Sequence, residues 1–229
     1  MDLFIDKWEE SYKRGENFIF GPKDESIKFL NRFVRKRTGV NTFRDILDFS
    51  KTIRGLDYGC GVGGQTILMK AYGIDAYGVD ISSVAIETAR NFTVHSGYPD
   101  MVDRFQLIAG GNIPFTDNFF DITISEAVLD SMKFDIAKKS LQEIDRVTKS
   151  LAFISLISGD DLQHYHEFNG EEIVVTEHEQ GTIQSYYNWS KIRKLIEGTR
   201  FSVKWCHTIR EEGIISPHRS GRYYIVLSK

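Results

Sequence analysis

The chain has 229 residues with 29 basic and 32 acidic side chains, a formal net charge of −3, and that balance excludes a dedicated polyanion binder. Its 41% hydrophobic and 27% charged content excludes a disordered chain, and no run reaches the ~18 apolar residues of a membrane helix. Folding a chain of this size buries roughly 70% of its unfolded surface, so one domain over 1–229 needs no disulfide or metal staple.

The opening MDLFIDKWEE lacks an apolar run ending in a small-residue cleavage site, and no secretory leader is expected. Residues 1–37 are read as an N-terminal lid and helix. The aromatics between Trp8 and Pro22 exceed what a frayed tail needs, and Ile27, Leu30, Phe33 and Val34 recur at helical spacing over 24–37. On that helix Arg32, Arg35, Lys36 and Arg37 form a solvated basic face. Strands are predicted over 53–58, 75–79, 105–109, 120–125 and 151–157, with helices from Gly63, from Ser82 and over 136–147. Strands alternating with helices imply right-handed crossovers and a mostly parallel sheet covered on both faces. The segment 158–188 is read as an insertion on the substrate side, with a hairpin of 172–176 and 182–187 turning at Gly181. A helix over 190–197, a strand over 201–209 and a short final strand over 223–228 close the chain. Cys60 and Cys206 stand far apart, outside any metal-ligand spacing. A reduced, cytosolic setting is therefore expected, with no metal.

The most informative segment is LDYGCGVGG, Leu56 to Gly64, which joins a buried strand to a helix through glycines at 59, 61, 63 and 64. Glycine lets the backbone turn sharply and approach a ligand. The helix N-terminus then faces the crevice at the strands' carboxyl ends. Asp80 follows the next strand, where an acid can accept both hydroxyls of a ribose. Positions 59, 61 and 64 satisfy G-x-G-x-x-G, the pattern of dinucleotide binders. Asp57, two residues before the first glycine, argues against a pyrophosphate, because a carboxylate there repels phosphate and attracts an ammonium. A nucleoside carrying an amino acid instead of phosphates fits both acids. The bland alternative makes Asp57 and Asp80 simple caps of strand-to-helix turns.

On these residues, with YGVDIS (Tyr77 to Ser82), NIPFTDNFFDITISEAVLD (Asn112 to Asp130) and WSKIRKLIEGTRF (Trp189 to Phe201), the sequence resembles the class I S-adenosylmethionine-dependent methyltransferases of small-molecule type. The resemblance implies a Rossmann-like α/β fold with seven strands, six parallel and the last antiparallel, and S-adenosyl-L-methionine as cofactor. It implies that Asp57, Gly59, Gly61 and Gly63 cradle the methionine part, that Asp80 holds the ribose, that Ile81 lies against adenine and that Cys60 and Ser125 also contact the cofactor. The family often has an acid before the N-x-P-F-like turn. Here Ala109, Gly110 and Gly111 precede Asn112, and Asn112 with the backbone at Ile113 is expected in its place. Tyr12 and Phe20 are the expected lid contacts, the alternative being simple anchors.

Methyl transfer from a sulfonium demands alignment above all, and a base only if the acceptor arrives protonated. No N/D-P-P-Y/F tetrapeptide follows the fourth strand, so a small-molecule acceptor is expected rather than nucleic acid, and no membrane partner. Glu126 and Asp130, one helical turn apart, are candidate proton acceptors or partners of a cationic acceptor. Their alternative reading is as acids facing a helix dipole. In LQHYHEF, Leu162 to Phe168, His164 and His166 face one way if extended, and either is a candidate base. A metal site with His178, or plain solvated histidines, are the other readings. Tyr186, Tyr187 and Trp189 either cover the acceptor or pack the core. The Glu126 and Asp130 pair resembles the phosphoethanolamine-type enzymes, whereas Glu177 to Trp189 resembles the tellurite- and thiopurine-type group, so oxygen and nitrogen acceptors both stay open, as does the oligomeric state. A nicotinamide-dependent oxidoreductase and a non-catalytic nucleoside-binding protein are the competing readings.

Overall fold

The computed structural model of the chain describes residues 4–159, 169–215 and 219–229. In chain order, α1 (Phe4–Lys13) and α2 (Asp24–Phe29) precede a short π-turn at Leu30–Val34 and the small strand pair β1 (Arg35–Arg37) and β2 (Phe43–Asp45). The alternating body follows: β3 (Arg54–Tyr58), α3 (Gly64–Ala71), β4 (Asp75–Asp80), α4 (Ser83–His95), β5 (Phe105–Leu107), β6 (Phe120–Ser125), α5 (Phe134–Val147) and β7 (Thr148–Ile157). A hairpin of β8 (Glu171–Ile173) and β9 (Ile183–Ser185), then α6 (Trp189–Ile196), β10 (Ser202–Glu212) and β11 (Arg219–Ser228) complete the chain.

The main sheet has seven strands in the order β10-β11-β7-β6-β3-β4-β5. The pairs among β3, β4, β5, β6 and β7 are parallel, and β11 runs antiparallel between β7 and β10. This is the expected Rossmann-like α/β arrangement. Successive residues of a strand point to opposite faces, so the sheet separates two apolar layers. Ala152, Ile154 and Leu156 of β7 pack with Leu141, Ile144, Ile192 and Leu195 of α5 and α6. Leu151 and Phe153 face the other way, against Phe29, Met69 and Ala89. The Phe29 ring stacks on Phe153 at 5.1 Å and 12°.

Two predicted elements are corrected. The helix expected over 24–37 is α-helical only to Phe29, continues as the π-turn of Leu30–Val34 and ends at Arg35, which turns extended (φ −158°) and pairs with Asp45 across β1 and β2. The guanidinium of Arg35 lies 4.6 Å from the Phe43 ring and 4.3 Å from Phe49, so part of the supposed solvated basic face is used in packing. The final strand is not short. It spans ten residues, and its early start brings Arg222 level with Ile157 at the carboxyl end of β7.

Candidate active site

The site forms where β3 and β6 diverge into the two halves of the sheet, the place where open α/β folds bind ligands. The chain leaves β3 through a loop with three left-handed glycines, Gly59 (φ 73°), Gly61 (φ 51°) and Gly63 (φ 89°). Gly59 and Cys60 donate their amides to the carbonyl of Val79 at 2.9 and 3.0 Å, which locks the loop to β4. A methyl group on Gly59 would lie 2.4 Å from Val128, so side-chain bulk is excluded there as well as by the dihedral.

Asp80 organises this half. Its carboxylate accepts the Gly61 amide at 2.8 Å and the Ser82 amide at 2.9 Å. Ser82 caps α4 by accepting the Ala85 amide at 3.1 Å. Asp57 is 1% exposed and accepts the Thr66 hydroxyl at 2.7 Å. Burial, against the pull of the Thr66 bonds, pushes its carboxyl up to about 7. Burial also raises Asp80, against its backbone amide bonds.

The N-terminal segment closes over this loop. Glu9 accepts the hydroxyls of Ser82 at 2.5 Å and Ser83 at 2.6 Å, which seats α1 on the start of α4. Tyr12 then stands over Gly61, where a Cβ would sit 2.7 Å from its hydroxyl. Between α1 and α2 the strap alternates: Asn17, Ile19, Gly21 and Lys23 line the cavity, whereas Phe20 points away and packs on Phe92 at 4.8 Å.

The second half carries Glu126 after β6. The stretch from 126 to 133 is not helical, and Ala127 is left-handed (φ 58°), so the readings of Glu126 and Asp130 as a helical turn apart, or as helix N-terminal acids, are both corrected. Asp130 is buried. It accepts Arg222 at 2.6 Å and the Ile157 amide at 2.8 Å, and its backbone carbonyl takes the Ser185 amide at 2.7 Å. Arg222 also reaches Ser155 at 3.3 Å. The Ser155 hydroxyl bonds the Glu126 carboxylate, yet burial dominates and lifts Glu126 to about 7. Its Oε2 is buried and has no hydrogen-bond partner among the described residues.

Glu126 and Arg222, with Asp57, Asp80, the glycine loop and the strap, line a cavity of about 410 Å³. Of the sequence candidates, Tyr12, Asp57, Gly59, Cys60, Gly61, Asp80, Ile81 and Glu126 reach it, and so does His178. Gly63 instead starts α3 with its backbone against Phe105. Asn112 is exposed, and the Ile113 amide is drawn to Glu143 at 3.1 Å, so Gly110 and Gly111 line the wall in their place. Ser125 is buried in the sheet, and Asp130 serves Arg222. Tyr186 and Tyr187 are core residues, and Trp189 lies outside the lining. His164 and His166 lie outside the described residues. Arg222, Glu179 and Lys23 were missed. The signal for Arg222 was a basic residue just before an apolar strand whose start returns to the mouth.

Comparison with known proteins agrees with this architecture. A family model described as a methyltransferase domain matches residues 56–156. An uncharacterized protein of Haemophilus influenzae is 31% identical over 166 residues, 67% of this chain and 66% of its own length. The sterol 4-C-methyltransferase strm-1 of Caenorhabditis elegans is 27% identical over 145 residues, 59% of this chain and 39% of its own. The chain thus spans just under two thirds and well under half of these two curated relatives. Among solved structures, an S-adenosylmethionine-dependent methyltransferase of Methanosarcina mazei has a TM-score of 0.63 at 20% identity, covering 78% of this chain and 92% of that one. The magnesium protoporphyrin IX methyltransferase of Synechocystis with bound S-adenosylmethionine has a TM-score of 0.55 at 13% identity, covering 98% and 85%. With the glycine loop, its flanking acids and the seven-strand order in place, the chain has the Rossmann-like arrangement of the class I S-adenosylmethionine-dependent methyltransferases, and its residues 56–156 match the methyltransferase-domain model.

Proposed function

We propose that the protein binds S-adenosyl-L-methionine and transfers its methyl group to an oxygen or nitrogen of a small-molecule acceptor. The observation that carries this reading is the pair of buried carboxylates on either side of the glycine loop. Among the described residues no cationic side chain is bonded to Asp57, and burial holds it near the middle of the pH scale. An ammonium placed there would supply the missing counter-charge. Asp80 sits at the tip of the adjacent strand, already fixed by two backbone amides, in position for a sugar's hydroxyls. A pyrophosphate in the same cavity would face Asp57, Asp80, Glu126 and Glu179 against Lys23, Arg222 and His178, with Arg222 already neutralised by Asp130. That balance disfavours a nicotinamide dinucleotide.

When bound, the cofactor supplies an electrophilic methyl on a sulfonium. The protein's part is orientation and exclusion of water, for which well-placed reactants can gain about 7 to 11 kcal/mol. Residues 17–23 and α1 lie over the loop and give the site a cover. Calorimetric titration tests the reading. S-adenosylhomocysteine should bind in the micromolar range and NAD should not. Binding of NAD alone would replace the proposal with an oxidoreductase.

A further inference from the structure

The cavity is divided by charge as well as by topology. The half formed by β3 and β4 carries Asp57 and Asp80, the acids assigned above to the cofactor. The half formed by β6, β7 and β11 faces the hairpin insertion and carries Glu126, Arg222, Glu179 and His178. In this second half Arg222 is committed: its guanidinium is 2.6 Å from Asp130 and 3.3 Å from the Ser155 hydroxyl. It is therefore already neutralised and poorly placed to receive an anionic acceptor. What remains are two carboxylates, Glu126 and Glu179, against Lys23 and His178, of which only Lys23 is a permanent cation. Glu126 adds the decisive feature, a buried Oε2 that no described residue satisfies. A buried carboxylate oxygen without a donor is costly, and such a group is retained where a ligand supplies the donor.

We propose that the acceptor is an amine, and that Glu126 binds its ammonium form and takes the proton that frees the nitrogen lone pair. This rests on the methyltransferase reading and narrows its acceptor. In the step, the proton passes from the acceptor nitrogen to Glu126. The nitrogen lone pair then forms the new carbon–nitrogen bond while the carbon–sulfur bond breaks and its electron pair stays on sulfur. The methylated product leaves, and Glu126 returns its proton to solvent. The carboxyl is suited to the exchange, since burial lifts it to about 7, against the lowering by Arg222 and Ser155, with Asp130 raising it and Lys23 lowering it further. Asp57 and Tyr224 also face it electrostatically. An alcohol would neither be drawn by these carboxylates nor be deprotonated by so weak a base.

Three measurements test the inference. S-adenosylhomocysteine titration first establishes the methyltransferase reading in wild type and in Glu126→Gln, whose affinities should agree within about threefold. Failure of wild type to bind overturns that reading rather than the acceptor assignment. With product cofactor bound, a series of probes from ethylammonium to hexylammonium and benzylammonium should bind wild type. The same probes should bind Glu126→Gln at least tenfold more weakly, whereas the corresponding alcohols and carboxylates bind neither. In turnover, the amines should be methylated, and Glu126→Gln should lose roughly 100- to 10,000-fold. The rate of wild type should rise to a plateau with a midpoint near 7, a limb that the variant lacks. Equal binding of the ammonium series by both proteins, transfer to hydroxyl or carboxylate acceptors instead, or no transfer to any amine overturns it.

Discussion

At the scale of single residues, Asp80 does two jobs with one carboxylate. It holds the Gly61 amide and the Ser82 amide, at 2.8 and 2.9 Å, and in the proposed function it also receives the ribose. Asp80→Ala removes the acceptor for the sugar and leaves two amides facing the cavity, so the affinity for S-adenosylhomocysteine should fall by about 1.5 to 3 kcal/mol, the range for a hydrogen bond to a charged group. Calorimetry on the variant reads this directly, and an unchanged affinity would take Asp80 out of the site. The acids beside the glycine loop were legible because their meaning is local: strand, turn and carboxylate follow one another within a few residues. Arg222 was not, because its position in the cavity depends on β11 returning antiparallel beside β7. Phe20 was misplaced for a subtler reason. Ile19 and Gly21 of the strap line the cavity, whereas the Phe20 ring between them turns outward onto Phe92.

At the scale of elements, α1 is seated on the start of α4 by side-chain hydrogen bonds. Two serine hydroxyls at the start of α4 bond one carboxylate, Glu9, and Glu16 accepts the Glu179 amide at 3.0 Å, which ties the same N-terminal segment to the insertion. The cover of the site is thus pinned at both ends by side chains rather than by a deep apolar interface. Glu9→Ala should loosen it by about 1 kcal/mol, since a solvent-accessible bond to a charged group returns less than a buried one. Limited proteolysis should then cut within 14–23 several times faster than in wild type, and S-adenosylhomocysteine should slow the cut. Equal cleavage rates in the two proteins would show that α1 is held by other contacts. The β-α alternation of the body was readable from apolar runs alone, most plainly at β3 and β6, which are short and largely buried on both faces. The change to a π-turn at Leu30 and the end of the helix at Arg35 were not readable. Apolar residues continue at helical spacing through Val34, and only the pairing of Arg35 with Asp45 ends the helix.

At the scale of the whole molecule, the buried acids of the site set how stability depends on pH. Asp57 and Glu126 are both pushed up to about 7 by burial, and Asp80 is raised for the same first cause. Their unfolded values are about 4. For Asp57 and Glu126, between about 4 and 7 the unfolded chain has released these protons while the native chain keeps them, so the native state binds more protons and acidification favours folding; Asp80 acts in the same direction. Each fully shifted group contributes roughly 1.4 kcal/mol per pH unit across that window and nothing further above it. His207 opposes the trend: burial lowers it, so the native chain stays neutral where the unfolded chain begins to take up a proton, and stability drains below about 6.5. Glu16, lowered to about 2 by its bonds to Arg14 and Ser11, weakens the fold only below the unfolded carboxylate range. Two raised carboxyls outweigh one depressed histidine between 5.5 and 7. The ligand-free protein should therefore melt at a higher temperature at pH 5.5 than at pH 8, the reverse of what surface carboxylates alone would give. S-adenosylhomocysteine carries an ammonium that favours ionised Asp57, so the melting temperature it adds should be larger at pH 8 than at pH 5.5. Differential scanning calorimetry with and without the ligand at the two pH values checks both signs. A ligand-free melting temperature that rises toward pH 8 would mean that Asp57 and Glu126 are ionised in the native protein without a cation beside them.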